Sequence, residues 1–241
     1  MKITVLGSCA AWPEPGRACA GFLVEHAGFR VVLDLGFGTL PRLLALCPNG
    51  AVDAVVITHA HSDHCVDLNG LLRVRHYGEL AFDRIPLLCA PGVAALVDGL
   101  EPSPRLTDLF DVVELAGTHK VGPFEVLGLE LPHHVPNVGV RLTTTRHRTI
   151  AYTGDTGPSE ALAELGRRAD LYIMDATLQG EPEEHLLSAG AAGHWAREAE
   201  ARRLMLTHFW PGNDRGVSLR EAAAAYGGEI LAAEEGLVVE L

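Results

Sequence analysis

The stretch VVITHAHSDHCVDLNG, residues 55–70, restricts this chain more than any other. An apolar, strand-like run ends at Thr58, and His59, His61, Asp63 and His64 follow within six positions. Such groups are costly to bury unless they are paired or hold a metal. In an extended segment, residues i and i+2 point to the same side, so His59 and His61 can grip one ion together. The chain must then turn, which puts Asp63 and His64 at the start of the next helix, facing a second position. Imidazole and carboxylate suit zinc and similar first-row ions, and a carboxylate can also accept a proton from bound water. One cluster cannot saturate two ions, so later loops should supply more ligands. Three candidates stand at or just past the end of a strand-like run, where loops display functional groups. They are His133 or His134 in LPHHVPNVGVR, Asp155 in YTGDTG, and His208 in LTHFWP.

Short β-type runs recur along the chain: KITVL, GFLVEH, RVVLDLG, DAVVITH, IPLLCA, DVVEL, FEVLGLEL, VGVRLTTT, TIAYTGD, DLYIMDA, RLMLTHF and GLVVEL. Some alternate and others are continuously apolar, which implies both half-buried and fully buried strands. Helix-type stretches lie between them at 39–46, 91–100, 159–168, 188–202 and 218–226, with Pro158–Ser159 and Ser218 as starts. Strands with helices scattered among them predict two packed sheets with helices outside. Gly and Pro do not gather into a linker, so one domain spanning 1–241 is expected. AVVITHAHSDH and RLMLTHFWPGND each end a buried strand in Thr-His, an echo that predicts two similar strand–loop units meeting at one edge.

Composition excludes several alternatives. No apolar run is long enough to cross a bilayer, and the opening MKITVLGSCAAWPEPG reads as a first strand rather than a signal peptide. Five widely spaced cysteines without a CxxC pair fit a reducing compartment, so a cytoplasmic location is expected. A net charge of −12 argues against a broad grip on nucleic acid. Arg141, Arg146 and Arg148 read as a solvated hairpin rather than a phosphate-binding patch.

HxHxDH at 59–64, a later His, an Asp in a GDT turn and a final His after an apolar strand resemble the metallo-β-lactamase superfamily of hydrolases. The resemblance runs from VLGSCAAWP to LTHFWP. It implies an α/β fold, a four-layer αβ/βα sandwich, with the site at the sheet edges. It also implies two divalent metal ions, zinc first and manganese second. His59, His61 and His133 would hold one, Asp63, His64 and His208 the other, and Asp155 would bridge them. His133 is preferred to His134 because the phosphodiesterase branch carries a Gly six residues after its ligand, matched here by Gly139.

Within the superfamily, VLGSCAAWPEPGRACAGFLVE, LDLGFGT, HHVPNVGVR and YTGDT resemble the ribonuclease Z-like phosphodiesterases. That branch has a histidine opening an H-x-(S/T)-A stretch, taken to protonate the leaving oxygen. EEHLLSAGAAGHWA offers His185 for this role, with an extra Leu187 before SA, and His194 as the competitor packed inside an Ala-rich helix. The branch's tRNA-processing members carry a long basic arm. Here 21 residues separate His133 from Asp155 and read as one hairpin, so there is no tRNA clamp. A small cyclic or nucleotide-derived phosphodiester is the expected substrate. A hydroxide bridging the two ions would attack phosphorus, with Asp63 positioning or deprotonating the water and His185 protonating the alkoxide. Asp34 in LDLGFG would orient a ligand histidine through its second ring nitrogen; the competing reading is a turn residue. Ser8, Cys9 and Trp12 lie on a loop that borders the pocket or simply turns. Cys65 reads as a buried thiol rather than a ligand. Alternatives are a lactone, thioester or other ester hydrolase on the same fold, or a mononuclear iron oxidoreductase. A homodimer is common in the resembling branch.

Overall fold

The structure, a computed structural model, describes residues 1–241. Six strands form the first sheet in chain order: β1 (Lys2–Gly7), β2 (Gly21–His26), β3 (Phe29–Leu35), β4 (Ala54–Ile57), β5 (Ile85–Cys89) and β6 (Phe110–Glu114). The second sheet follows with β7 (Gly117–Val121), β8 (Phe124–Leu131), β9 (Asn137–Thr144), β10 (Thr149–Tyr152), β11 (Leu171–Asp175), β12 (Arg203–Thr207) and β13 (Glu229–Ala232). The last strand, β14 (Val238–Glu240), returns to pair with β1. The sheet orders are β14-β1-β2-β3-β4-β5-β6 and β7-β8-β9-β10-β11-β12-β13. Read in those orders, each sheet makes three antiparallel pairings and then three parallel ones.

All twelve expected strands are present, together with two the sequence did not announce. GTHKV of β7 is polar, and EILA of β13 is short. Both lie at sheet edges, where the neighbouring strand supplies the hydrogen bonds and little apolar surface is needed.

Three apolar cores separate four layers. Between the sheets, Ile3, Phe22, Leu33 and Val56 meet Phe124, Val140, Tyr152 and Ile173. Phe22 and Tyr152 pack edge to face at 5.2 Å. Outside the first sheet lie α1 (Thr39–Leu46), α2 (Ser62–Cys65), α3 (Asp67–Tyr77), α4 (Val93–Asp98) and α5 (Leu106–Leu109). Outside the second lie α6 (Ala161–Leu165), α7 (Ala189–Glu198) and α8 (Arg215–Ala225). This is the expected αβ/βα sandwich.

Helix ends differ from expectation for local reasons. The cap of α8 is Asp214, whose carboxylate accepts from Gly216 N at 2.8 Å; Ser218 is already inside the helix. Ser188 does cap α7, but the helix stops at Glu198 rather than 202, and Glu200 takes a left-handed φ of 53°. α6 is held to five residues before Gly166. α3 went unmarked in the sequence reading, though Leu68, Leu71, Leu72 and Arg75 recur at helical spacing and are its buried residues. No helix is long and apolar enough to cross a membrane. All five thiols are buried and unpaired.

The Thr-His echo brings both histidines to one site, but from unequal positions in the two sheets. His59 follows β4, the second strand of its parallel run, whereas His208 follows β12, the third of its run. The two strands are therefore not equivalent positions of matching halves, although the loops after both reach the same site.

Candidate metal centre

The centre lies at the carboxyl ends of the parallel strands of both sheets, the usual place for ligands in layered α/β folds. β4 delivers Thr58 and His59, the loop carries His61, and α2 presents Asp63 and His64. His133 follows β8, Asp155 follows β10 and His208 follows β12. All seven expected ligands converge in two groups that share Asp155. One is His59, His61, His133 and Asp155, and the other is Asp63, His64, Asp155 and His208, with ligand atoms in each within 4.8 Å of one another. His134 stays exposed beside this cluster, so position 133 is the inward one.

Each buried histidine has one ring nitrogen committed. Asp34, fully buried, accepts from four donors: Thr58 N at 2.7 Å, the Thr58 hydroxyl at 2.8 Å, His64 Nδ1 at 2.7 Å and the Tyr152 hydroxyl at 2.8 Å. Because the Thr58 hydroxyl donates to Asp34, the His59 Nδ1–H donates to Thr58 Oγ1, at 3.1 Å. A second relay backs His208. The Thr177 hydroxyl donates to Asp175 at 2.5 Å, and His208 Nδ1 donates to Thr177 Oγ1 at 2.7 Å. His133 Nδ1 donates to the His185 carbonyl at 2.9 Å. These partners turn Nε2 of His59, His64, His133 and His208 toward the centre, where His208 Nε2 lies 3.2 Å from Asp63 Oδ2.

The lone pairs crowd one another in a way that calls for a cation. His59 Nε2 and His133 Nε2 each lie 3.1 Å from His61 Nδ1. About 3.3 Å is the edge of a tetrahedron with metal–nitrogen bonds of ~2.0 Å. In the second group, His64 Nε2 and Asp155 Oδ1 approach to 3.1 Å, yet both are buried and neither makes a hydrogen bond. The residues therefore fit two metal ions sharing one carboxylate.

Electrostatics divide the groups. Burial, helped by His64, holds His59 well below the ordinary imidazole range, and burial likewise lowers His61 and His133. Burial opposes charge on His64 and His208 as well, but carboxylates overcome it. Asp155 and Asp63 raise His64 well above its usual value, and Asp155, Asp175 and Asp63 push His208 up to about 10. Asp155 is held well below the carboxylate range, burial being outweighed by His208 and His64. Without ions, protons on His64 and His208 thus neutralise the carboxylates, a task that a bound divalent cation would take over.

Backbone geometry fixes the loops. Gly154 of the GDT turn has φ 59°, and a Cβ there would lie 2.6 Å from Asn137 Oδ1 and 2.7 Å from Thr58 Oγ1. Gly36 passes so close to the Asp63 carbonyl that no side chain fits. Asp34 and His208 adopt left-handed φ values of 56° and 58°, uncommon for these residues and held by their hydrogen bonds.

The other sequence candidates separate clearly. Asp34 orients His64, as expected, rather than simply turning the chain. The half-buried His185 ring lies 4.6 Å from the His134 ring, with its Nδ1 buried and unpartnered. His194 is not packed inside its helix: it is exposed on α7, and its Nδ1 accepts from Arg197. Cys65 is fully buried and its thiol donates to the His61 carbonyl; burial pushes that thiol up to about 12, so it stays protonated. Ser8 and Cys9 are buried, while Ala11 N donates to Asp63 Oδ2 at 2.8 Å and Trp12 is exposed. Arg141 donates to the Leu165 carbonyl and Arg148 to Asp170. Asp175, Thr177 and Tyr152 went unrecognised in the sequence. A carboxylate ending a buried strand, as Asp34 does, was the available signal for Asp175.

Residues 29–209 match the sequence profile of the Beta-lactamase superfamily domain. The uncharacterized protein ML1173 of Mycobacterium leprae is 31% identical over 249 residues, covering 98% of this chain and 87% of that one. A ribonuclease Z of Haloferax volcanii is 26% identical, covering 100% of this chain and 95% of its own length. The crystal structure of the metallo-beta-lactamase fold protein YhfI from Bacillus subtilis superposes with a TM-score of 0.90 at 24% identity, covering 100% and 99% of the two chains. The chain belongs to the metallo-β-lactamase superfamily. It is a metallo-hydrolase by family, and the two groups described above are its candidate metal-ligand residues.

Proposed function

We propose that this chain is a two-metal phosphodiesterase acting on a small phosphodiester. His59, His61 and His133 would hold one ion, Asp63, His64 and His208 the other, and Asp155 both. Nitrogen and oxygen donors in this mixture suit zinc, with manganese next. Two such ions supply Lewis acidity toward the phosphoryl oxygens and make a water reactive at neutral pH. The observation that carries the reading is the shared Asp155, common to both groups, whose Oδ1, like His64 Nε2 3.1 Å away, is buried without a hydrogen-bond partner.

The protein's groups then divide the remaining work. Asp63, steadied by Ala11 N–H, accepts the proton of the attacking water. Asp34, Thr58 and Thr177 keep the ligand imidazoles in the tautomer that faces the ions. His185 protonates the departing oxygen, and its carbonyl holds His133 in place. A small substrate is supported by the turn of residues 145–148 that joins β9 to β10, and by the net charge of −12. A named ribonuclease among the relatives favours phosphodiester over carboxylic ester chemistry. Five buried, unpaired thiols suit a reducing compartment such as the cytoplasm.

The test is hydrolysis of a chromogenic phosphodiester by protein reconstituted with zinc or manganese, with Asp155→Ala alongside. Metal-dependent turnover that the substitution abolishes is the expected result. Two ions bound per chain without turnover, but with cleavage of lactones or thioesters, would reject the assignment.

A further inference from the structure

Trp12 and Trp210 are 48% and 42% exposed, in a chain with only three tryptophans. Their rings meet edge to face, centroids 5.1 Å apart. Exposed aromatic surface of this size, unused by the core, asks for an occupant. The pair adjoins the metal centre through the chain on both sides. Ala11, next to Trp12, donates its N–H to Asp63 Oδ2 at 2.8 Å, and Trp210 stands two residues after His208. Two residues span at most about 7 Å of backbone.

The platform is held rigidly. Ala10 N donates to the Phe209 carbonyl and Phe209 N to the Ser8 carbonyl, both at 2.9 Å, which ties the two loops together. Each tryptophan precedes a proline, Trp12–Pro13 and Trp210–Pro211, and proline narrows the backbone freedom of the residue before it. Two preset indole faces beside a phosphodiester-cleaving centre match one substituent above others, a flat heteroaromatic ring. Base–aromatic stacking supplies binding without demanding a particular base. The net charge of −12 disfavours a long polyanion.

We propose that Trp12 and Trp210 are specificity-determining residues that stack the nucleobase of a mononucleotide-sized phosphodiester whose phosphate sits at the metal centre. The inference rests on the phosphodiesterase reading for its substrate, but its binding half can be tested separately.

Two esters with the same leaving group separate the effects: p-nitrophenyl thymidine 5′-phosphate and methyl p-nitrophenyl phosphate, with zinc- or manganese-loaded enzyme. The wild-type chain prefers the nucleoside ester. Trp12→Ala and Trp210→Ala reduce that preference roughly ten-fold each, chiefly through KM, and Trp→Phe at either position restores most of it. Equal losses on both esters would overturn the proposal. If neither ester is cleaved, the phosphodiesterase reading fails and binding decides the platform. Adenosine 5′-monophosphate then quenches tryptophan emission saturably and ribose 5-phosphate does not. The quenching disappears in the double alanine variant, where Trp195 alone remains. Equal quenching by both probes, or none, overturns the platform. So does a wild-type dimer that the double variant converts to monomer without any nucleotide response, because a second copy would then be the occupant.

Discussion

The His64 imidazole and the Asp34 carboxylate meet at 2.7 Å with neither side chain exposed to solvent, although 30 positions separate them. Nδ1 faces Asp34, so Nε2 is left for the centre, where it has no hydrogen-bond partner. Asp34→Asn removes the charge behind His64. The affinity for the second ion is expected to fall about 10–100-fold, read by competition with a chromophoric chelator. Unchanged affinity would assign Asp34 a purely structural role.

Tyr152 donates to the same carboxylate from the opposite sheet. A hydrogen bond to a buried charged group contributes about 1.5–3 kcal/mol. Tyr152→Phe should lower unfolding stability by that order in a denaturant titration, with the change in midpoint and an unaltered slope.

Gly154→Ala places a methyl against Asn137 and Thr58 at a left-handed φ. Strain of about 1–3 kcal/mol is expected, together with displacement of the neighbouring Asp155. Metal content measured after dialysis should drop below two ions per chain, whereas Gly180→Ala, with nothing near its Cβ position, should retain both.

Metal loading should release protons. His208 titrates near 10 in the ion-free chain and His64 well above its usual value. An ion must displace those protons at neutral pH, so binding strengthens as pH rises toward about 10. Calorimetry in two buffers of different ionisation enthalpy measures the protons released. For folding the sign runs the other way. The raised value means that protonated His208 contributes fully below about 6.5 and loses that contribution as pH climbs through about 10. The melting temperature of chelator-treated protein should carry this downward contribution across that window. Loaded protein should not.

His185→Ala should slow turnover of a phosphodiester with a poor alkoxide leaving group about 10²–10⁴-fold. The effect should be much smaller with p-nitrophenolate, which departs without a proton. Alanine keeps the backbone carbonyl that holds His133, so unchanged rates on both esters would mean that the residue acts only through that carbonyl.

Much of the centre was legible because metal ligands are chemically conspicuous and stand at strand ends. HAHSDH declares four groups within six positions, and apolar runs just upstream of Asp155 and His208 mark where two more emerge. The orienting groups were harder to read. Asp175 closes an apolar strand, the one local cue it offers, whereas Thr177 is one hydroxyl among many and has no local pattern that distinguishes it. Tyr152 alternates like any core residue, and only its hydroxyl's partner, 118 positions away, gives it a second role.

By itself the sequence determined the strands, the ligand types and the superfamily, because side-chain periodicity and donor chemistry are local properties. The family resemblance already pointed to Asp155 as the shared group and to His133 over His134; tertiary structure decided that Asp34 gathers donors from both sheets. It also brought Trp12 beside Trp210. Those relationships join residues far apart in the chain, and only the packing of one sheet on the other fixes which distant groups meet.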